Sequence, residues 1–206
     1  MFYRFIRKLL SIYDSLGSEL ACYWLRSAGA RLGKDVMCYG IPVLSVRKGS
    51  KIIIGDFTTL RSISRGNAIG VNHRIVLTTH SSEAFIEIGN HVGMSGGAIC
   101  CKSHVKIGDN TLLGANTIIA DNDMHPIKPE NRRYNCADVD IPAKPVYIGN
   151  NVWIGADVFI CKGVSIGDNS VIGAKSLVSK SIPANCIAAG NPAKVIKKDL
   201  SQYSRS

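Results

Sequence analysis

The sequence predicts an all-β solenoid, a chain of short strands wound into a prism, and two regularities carry this prediction. Valine or serine stands two residues before each of six aliphatic residues, and glycine follows four of the six. A period of six with an inner pair two apart fits neither a helix nor one long strand, so it indicates short strands joined by tight turns. The six aliphatic residues recur at intervals of six: Ile148, Ile154, Ile160, Ile166, Ile172 and Val178.

Within each hexad, we expect the aliphatic residue and the small residue two places before it to point into the prism. Glycine, followed by asparagine, alanine or aspartate, then forms a corner at which the backbone turns tightly. Because six consecutive hexads keep this register, we take the solenoid as the fold and fit the remaining segments to it.

The length of 206 residues suits one domain with short additions at its ends. We divide it into an N-terminal helical segment (1–31), a solenoid (32–182) interrupted by a loop (121–145), and a basic C-terminal tail (183–206). Seven cysteines include no CxxC pair, and no signal peptide is in view. These features predict reduced thiols and a cytoplasmic location. The N-terminal segment described below leaves open whether the protein is free there or lies at the inner face of the membrane.

The charge balance is basic, with 25 Lys and Arg residues against 15 Asp and Glu residues and a net charge of +10. Such a charge suits nucleic acid, an anionic membrane or a phosphorylated small molecule. No basic run is long enough to favour nucleic acid, so we expect no nucleic-acid partner.

The N-terminal segment predicts two short helices. Residues 2–16 place seven apolar side chains on one helical face, and the run is too short to span a bilayer. This helix either caps the solenoid or a neighbouring subunit, or anchors the protein on an anionic membrane through three cations and two phenylalanines. A second helix is predicted from about Ser18 to Ala28, ending at Gly29.

The strand pattern begins near Leu32, and Ile52 and Ile54 form the first hexad of the regular type. Residues 61–85 are less regular, with residues 75–77 as a buried strand. The repeat restarts at Ile86. The interval from Ile88 to Ile107 is not a multiple of six, which predicts a one-residue bulge between them.

The repeat breaks at residues 121–145, which hold four prolines and no hexad. Long loops inside compact repeats are uncommon and usually functional. After Val178, the segment SKSIPANCIAAGNPAKVIKKDL is expected to leave the solenoid, because Pro183 and Pro192 end the strands, and a short basic tail follows.

Three phrases resemble one known family: IGNNVWIGADVFICKGVSIGDNSVIGAKSLV, SIPANCIAAGNPAKVIK and the loop histidine in DMHPI. They look like the hexapeptide-repeat acyltransferases, in the sugar and polysaccharide O-acetyltransferase branch with the galactoside and maltose acetyltransferases. The resemblance covers residues from about 50 to 198. It implies a left-handed parallel β-helix, a homotrimer, acetyl-CoA as donor bound between neighbouring prisms, and no metal. The hand follows from the resemblance alone, because crossovers between parallel strands are ordinarily right-handed.

The resemblance makes His125 the catalytic residue. Acyl transfer to a hydroxyl needs a base near neutral pH, and neutral imidazole is the usual one. By resemblance, His125 takes the proton of a glycan hydroxyl as its oxygen attacks the thioester of acetyl-CoA. A backbone N–H then stabilises the tetrahedral oxyanion. No covalent acyl-enzyme is required, so no cysteine need act as a nucleophile.

Three further residues are candidates around this histidine. Asp121 and Asp123 either orient the imidazole or the acceptor, or only shape the turn. Where galactoside and maltose acetyltransferases place an acceptor-binding asparagine, this chain has Ser95, flanked by Met94 and Gly96. Ser95 is a substitute donor or a buried corner residue, and the departure leaves the acceptor open.

The donor contacts carried over by resemblance begin with Trp153, which matches the family tryptophan beside the pantetheine channel. A ring packed at a prism corner explains it equally well. Ala156 and Ala174 match positions whose backbone groups bind the pantetheine amides.

The charged end of the donor is matched by four more positions. Ser179 and Lys180 correspond to the stretch near the adenine. Lys194 and Lys197 match basic positions that face the CoA phosphates, which favour such cations.

Other functions compete with sugar acetylation. One alternative keeps the donor chemistry and changes the acceptor to a small molecule such as serine or an antibiotic. Serine acetyltransferases share an Asp-x-His-Pro element with this chain. Their long helical N-terminal domain, however, is not seen here. A β-helix zinc enzyme needs three converging histidines. The five histidines of this chain show no close His-x4-His pair, which argues against such a zinc site.

A binding or scaffold module with an inactive site is the last alternative. It predicts loss of the loop histidine, and His125 is present.

Overall fold

The computed structural model describes residues 2–130, 132–134 and 141–200, and the side chains of these residues apart from 2–13 and 15. Within them, the chain forms one helix followed by twenty strands. Their bounds are α1 Phe2–Ser27, β1 Arg31–Leu32, β2 Met37–Tyr39, β3 Val43–Ser45, β4 Lys51–Ile54, β5 Thr59–Arg61, β6 Val76–Thr79, β7 Phe85–Ile88, β8 Gly93–Ser95, β9 Ala98–Cys101, β10 His104–Ile107, β11 Leu112–Leu113, β12 Ile118–Ala120, β13 Val146–Ile148, β14 Trp153–Ile154, β15 Phe159–Ile160, β16 Ser165–Ile166, β17 Val171–Ile172, β18 Leu177–Val178, β19 Cys186–Gly190 and β20 Ala193–Lys198.

The strands form the three faces of a left-handed parallel β-helix, which confirms the expected fold class. Each coil contributes one strand to each face. Sheet A has the order β1-β4-β7-β10-β13-β16, sheet B has β2-β5-β8-β11-β14-β17-β19-β20, and sheet C has β18-β15-β12-β9-β6-β3. We name the corners after the sheets that they join: A–B, B–C and C–A.

The interior is the aliphatic column that the sequence predicts. All twelve inward positions of the hexads from Val146 to Val178 are buried, including Ser170 and Ser176. The Ser170 hydroxyl donates to Pro183 O at 2.7 Å, and the Ser176 hydroxyl donates to Gly173 O at 2.6 Å. A buried hydroxyl is tolerated here because it is hydrogen-bonded to the backbone.

The A–B corner explains why asparagine and aspartate follow the corner glycines. A carboxylate or amide oxygen of each coil accepts a backbone N–H of the preceding coil at 2.7–2.9 Å. This column of side chains therefore joins successive coils at their turns. Its members are Asp56, Asn90, Asp109, Asn150 and Asp168.

The helix α1 is continuous, so the prediction of two short N-terminal helices is wrong. Gly17 lies inside it and costs about 1 kcal/mol relative to alanine, which the flanking helix formers outweigh. The predicted end is confirmed: Gly29 has a φ of 89°, and Ala30 N–H donates to Leu25 O at 3.1 Å. No part of the helix that the structure describes is long and apolar enough to cross a bilayer.

The second half of α1 packs on the first coil. Ala21, Cys22 and Leu25 are buried against the solenoid, and Ser18 Oγ accepts the Cys38 N–H at 2.8 Å. Residues 18–25 therefore cap the first coil. The cap was predicted for residues 2–16, and the side chains of residues 2–13 lie outside the described part.

The C-terminal segment corrects another expectation, because the chain does not leave the solenoid after Val178. Ile182 forms a parallel bridge with Ile166, and β19 pairs in parallel with β17. The strand β20 then pairs antiparallel with β19 and ends sheet B. Residues beyond 200 of the predicted tail lie outside the described residues.

The irregular coil also differs from its prediction. In place of a simple bulge between Ile88 and Ile107, the spacing from Met94 to Ile99 is one residue short of six, at Gly96. The spacing from Ile99 to Ile107 then exceeds six by two residues. The B–C corner of this coil is thus one residue shorter than in a regular coil, and the C–A corner is two residues longer. Together they leave the net excess of one residue.

Candidate active site

The loop of residues 121–145 leaves and re-enters the solenoid at the C–A corner. Its two ends are joined by an antiparallel bridge between Asn122 and Ala143 and by a hydrogen bond from Asp123 N–H to Pro142 O at 3.2 Å. Lys144 N–H also donates to Asp121 O at 2.8 Å. These contacts join the two ends of the loop to each other and fix its base.

A tight turn presents His125 at this base. The His125 N–H donates to Asp123 O at 2.7 Å, and the residue between them, Met124, has a φ of 61°. Asn122 Oδ1 accepts the Met124 N–H at 2.8 Å. A non-glycine residue in such a turn is uncommon and costs free energy, so the surrounding bonds must hold it. The imidazole is exposed, directly before the buried Pro126.

Asp121 supports the turn of the preceding coil. It is fully buried, and its two carboxylate oxygens accept the backbone N–H groups of Lys102 and Ser103, each at 2.7 Å. Asn122 Nδ2 donates to the same carboxylate at 3.0 Å. These contacts are those of a turn-shaping residue, the second of the two roles expected for Asp121.

Asp123 lies closer to the surface and binds a residue from another coil. Its Oδ1 accepts a hydrogen bond from the ammonium of Lys162, and both side chains are about a quarter exposed, at 28% and 26%. Its Oδ2 is buried and has no partner among the described atoms. Asp123 therefore keeps one carboxylate oxygen available for a donor at the base of the loop.

The cysteines near the loop are poor nucleophiles. Burial raises the pKa of the Cys100 and Cys101 thiols, so both are protonated at neutral pH. Burial also raises the pKa of Cys161. This state agrees with direct transfer that needs no acyl-cysteine.

The acceptor and pantetheine candidates lie at a different corner. Ser95 ends β8 and is half-buried at the B–C corner, where its carbonyl accepts the Asn116 N–H at 2.9 Å. Ala156 and Ala174 lie at the same corner of later coils, and Ala156 O accepts the Lys175 N–H at 2.8 Å. The three residues thus mark one edge of the prism.

Trp153 lies on the outer face of sheet B beside that edge. Its side chain is 58% exposed, and β14 places it between Leu112 and Val171. An exposed ring of this size offers a contact surface to a ligand or a second chain. It is not enclosed at a corner of its own prism.

The two basic candidates near the C-terminus share this face. Lys194 and Lys197 lie opposite Ala189 and Ile187, which are two residues apart on β19 and so point to the same side. A register shift between Ile187 and Ala188 makes this arrangement possible, because strict alternation would separate the two lysines.

Ser179 and Lys180 lie on neither of these surfaces. They follow β18 at the C–A corner, two coils beyond His125, and both are exposed. Sheet C therefore separates the residues at the C–A corner from Ala156, Ala174 and Ser95 at the B–C corner. A single prism brings the candidate base and the candidate pantetheine residues to different edges.

Asn122 and Lys162 are functional candidates that the sequence did not reveal. Asn122 closes the turn before His125, and its position in DND between two aspartates was the available signal. Lys162 is far from Asp123 in sequence and reaches it only because consecutive coils stack. Among the described residues, no three His, Cys, Asp or Glu side chains converge as a metal site.

Two family descriptions match the solenoid. The bacterial transferase hexapeptide model, which has six repeats, matches residues 145–180. The model of the hexapeptide repeat of succinyl-transferase matches residues 104–120. The two matches cover coils on both sides of the loop.

Known proteins resemble the chain over different lengths. The candidate acetyltransferase YJL218W of Saccharomyces cerevisiae is 36% identical over 179 residues, which cover 78% of this chain and 85% of the yeast protein. The galactoside O-acetyltransferase of Escherichia coli is 48% identical over 94 residues, 46% of this chain. That match spans only 44% of the enzyme's length. The crystal structure of the polySia specific acetyltransferase NeuO is 25% identical with a TM-score of 0.60, covering 86% of this chain and 78% of that one.

Proposed function

The chain belongs to the hexapeptide-repeat acetyltransferase family, and we propose that it transfers an acetyl group from acetyl-CoA to a hydroxyl of a sugar. The acceptor class is a surface polysaccharide or glycolipid precursor, in keeping with the galactoside enzyme among its relatives. One observation carries the proposal: a fixed turn at the base of the loop presents the exposed imidazole of His125.

The proposed mechanism is direct attack. The neutral imidazole of His125 accepts the proton of the acceptor hydroxyl while the hydroxyl oxygen attacks the thioester carbonyl. The tetrahedral intermediate then collapses as its carbon–sulfur bond breaks, and the imidazolium returns the proton to the leaving thiolate, so that CoA departs as a free thiol. Asp123, held by Lys162, has a carboxylate oxygen that can accept a hydrogen bond from the imidazolium or from the acceptor.

The proposed donor site runs along the B–C corner, past Ala156 and Ala174. Trp153 lies beside it, and Lys194 and Lys197 supply charge for the phosphates. Because His125 lies at the C–A corner, the proposed site needs a second copy of the chain to bring base and donor together. We therefore propose a homotrimer with three such sites.

Sheet C supports this assembly. The outward residues of its six strands form one unbroken apolar column: Val43, Val76, Ala98, Ile118, Phe159 and Leu177. The matching column of sheet A includes charged residues, among them Glu87 and Lys106. An apolar face of this kind is stabilised when a second subunit covers it.

The assembly is tested by charge placement. Phe159→Glu puts a carboxylate in the sheet C column and is expected to lower the sedimenting mass from trimer to monomer. Ile53→Glu on sheet A is the matched control, expected to leave the trimer intact. A trimer that tolerates Phe159→Glu would place the interface on another face.

The chemistry is tested with purified protein, acetyl-CoA and a panel of sugars that also includes serine, by following thiol release. His125→Ala is expected to lower the transfer rate by roughly 10²- to 10⁴-fold while oligomer mass and melting stay unchanged. His91→Asn, which changes another exposed histidine and tolerates the local φ of 55°, is the control. Full transfer by His125→Ala would disprove the base assignment, and transfer to serine alone would point to a small-molecule acceptor.

Acetyl-CoA is a cytoplasmic metabolite, so the proposal places the protein in the cytoplasm, at the inner face of the membrane. Leu16, Leu20 and Tyr23 form an exposed apolar stripe on α1, opposite its docked face. Deletion of residues 1–16 is expected to reduce sedimentation with anionic vesicles and not with neutral ones. An unchanged vesicle fraction, or loss of the trimer, would assign the segment to subunit packing instead.

A further inference from the structure

A groove on sheet A lies apart from the B–C edge and has no role in the proposed transfer step. It has a volume of about 550 Å³ and runs from Lys106 and Tyr147 across Ser165 to Ser181 and Pro183. Tyr147 is 43% exposed and forms its aromatic wall.

Stacking fixes the tyrosine ring. His104 stacks on Phe85 with ring centroids 4.8 Å apart and planes 6° from parallel. Tyr147 meets the edge of the His104 ring at 5.4 Å and 89°. The Tyr147 ring is held against His104, which is itself held by Phe85. A ring that is already restrained loses less conformational entropy when a ligand covers its free face.

The polar groups around the ring are neutral or balanced. Lys106 is the charged residue among those that line the described groove, and its Nζ lies 2.9 Å from Glu87 Oε1. Ser165 and Ser181 add hydroxyl groups, and the Ser181 hydroxyl accepts the Ser165 N–H at 3.0 Å. A paired cation gives little attraction to a phosphate or carboxylate ligand, whereas hydroxyls beside an aromatic ring suit a neutral polyol.

The groove reaches the A–B corner at Gly149 and Gly167, and Tyr147 on its other side belongs to β13, the strand that follows the loop. Ser103, whose N–H binds Asp121, directly precedes His104, and Lys144, whose N–H binds Asp121 O, lies three residues before Tyr147. A chain-like ligand on the tyrosine can therefore extend over the C–A corner toward the loop that carries His125. A small acceptor bound at His125 would not reach it.

We propose that this groove is a secondary binding site for a neutral oligosaccharide segment of the acceptor, with Tyr147 as its stacking platform. The role of this site in acceptor recognition rests on the proposed sugar acetylation. The binding of the oligosaccharide itself rests on the groove alone. It assigns to the protein a preference for long glycan acceptors over single sugars.

The test measures binding by saturation-transfer NMR, with galactose against galacto-oligosaccharides and glucose against malto-oligosaccharides. At least one oligosaccharide series is expected to bind more tightly than its monosaccharide. Tyr147→Ala should weaken that binding about tenfold, while Tyr147→Phe retains most of it. Ser165→Ala should weaken it about threefold. Tyr23→Ala, which removes an exposed tyrosine from α1, is the matched control and should bind as the wild type does.

Two outcomes would overturn the site. Equal binding of long and short sugars in both series excludes it, as does unchanged oligosaccharide binding by both Tyr147→Ala and Ser165→Ala. A change of sedimenting mass in Tyr147→Ala would also overturn it, because the groove would then be a contact between copies. Melting curves of the variants identify any loss of fold, and Tyr147→Phe and Ser165→Ala keep the test decisive if Tyr147→Ala unfolds.

The transferase proposal fails separately. If oligosaccharide binding depends on Tyr147 but the protein acetylates no sugar, the binding site is supported and the proposed sugar acetylation is disproved. If short and long acceptors are acetylated with the same KM, and Tyr147→Ala does not change it, the sugar acetylation is supported and the role of the groove in acceptor binding is disproved. The catalytic variant His125→Ala is expected to retain the oligosaccharide binding of the wild type.

Discussion

Asp123 and Lys162 bind each other across two coils: the carboxylate at the base of the loop accepts a hydrogen bond from an ammonium in the next coil. The pair fixes the residue whose carbonyl closes the turn before His125. It therefore ties the position of the proposed base to the regular part of the prism.

Removal of this pair is expected to reduce turnover more than stability. Lys162→Met should lower kcat about tenfold, since a small displacement of the base is costly. The free energy of unfolding should change by less than about 1 kcal/mol, because both side chains are partly exposed to screening solvent. Lys162→Arg should restore most of the rate. Equal kcat for Lys162→Met and the wild type would show that the pair does not position the loop.

Asp121 is expected to behave in the opposite way. Asp121→Ala leaves the buried N–H groups of Lys102 and Ser103 without their acceptor, at a cost of roughly 2–4 kcal/mol in unfolding free energy. Asp121→Asn retains one amide oxygen and should lose about half as much. Urea titration measures both. A stability loss confined to a few tenths of a kcal/mol would mean that solvent or other groups replace the carboxylate.

The A–B corner permits a clean test of backbone strain. Asn110 is exposed and has a φ of 58°. Asn110→Ala should destabilise the protein by about 1 kcal/mol because alanine resists this conformation, and Asn110→Gly should be nearly neutral. Equal urea midpoints for the two variants would show that φ at this corner relaxes without cost.

The buried thiol of Cys101 predicts a loss of stability in alkali. Burial raises the pKa of Cys101 in the folded chain, whereas the thiol of the unfolded chain ionises near pH 8.5. A raised folded pKa gives stability that is fully present below the unfolded value and lost as pH rises above it. This thiol alone removes up to about 2 kcal/mol between pH 8.5 and 10.

Urea melts across this pH range measure the slope for the wild type and for Cys101→Ala. The variant is expected to show the smaller decline with pH, whatever its absolute stability. Identical slopes would mean that Cys101 ionises in the folded protein as readily as in the unfolded chain.

The regular coils were predictable from sequence because each inward position must be apolar or small, and Ile148 to Val178 satisfy this without exception. The end of α1 was predictable for a similar reason, since Gly29 adopts a conformation that glycine accepts readily. Such features depend on the residue and its immediate neighbours.

The remaining errors arise where contacts between residues distant in sequence override the local pattern. The sequence predicts one helix over residues 2–16 and a second from about Ser18, but the packing of residues 18–25 on the first coil favours a continuous helix. The prolines after Val178 suggested an exit, yet sheet B offers an edge on which Ile187 and Ala188 pair. For the site, His125 and Asp123 were found in the loop sequence, whereas Lys162 depends on coil stacking that no local pattern records.

The hydrogen bonds of the A–B corner make the prism extensible. Each coil presents the same donors and acceptors at its two ends, so an inserted coil would find partners above and below. Whole coils can then be added or removed during evolution without leaving an unpaired corner, and the distance between the loop and the C-terminal strands changes in fixed increments. Added coils would lengthen the proposed donor site along the B–C corner and leave the geometry around His125 unchanged.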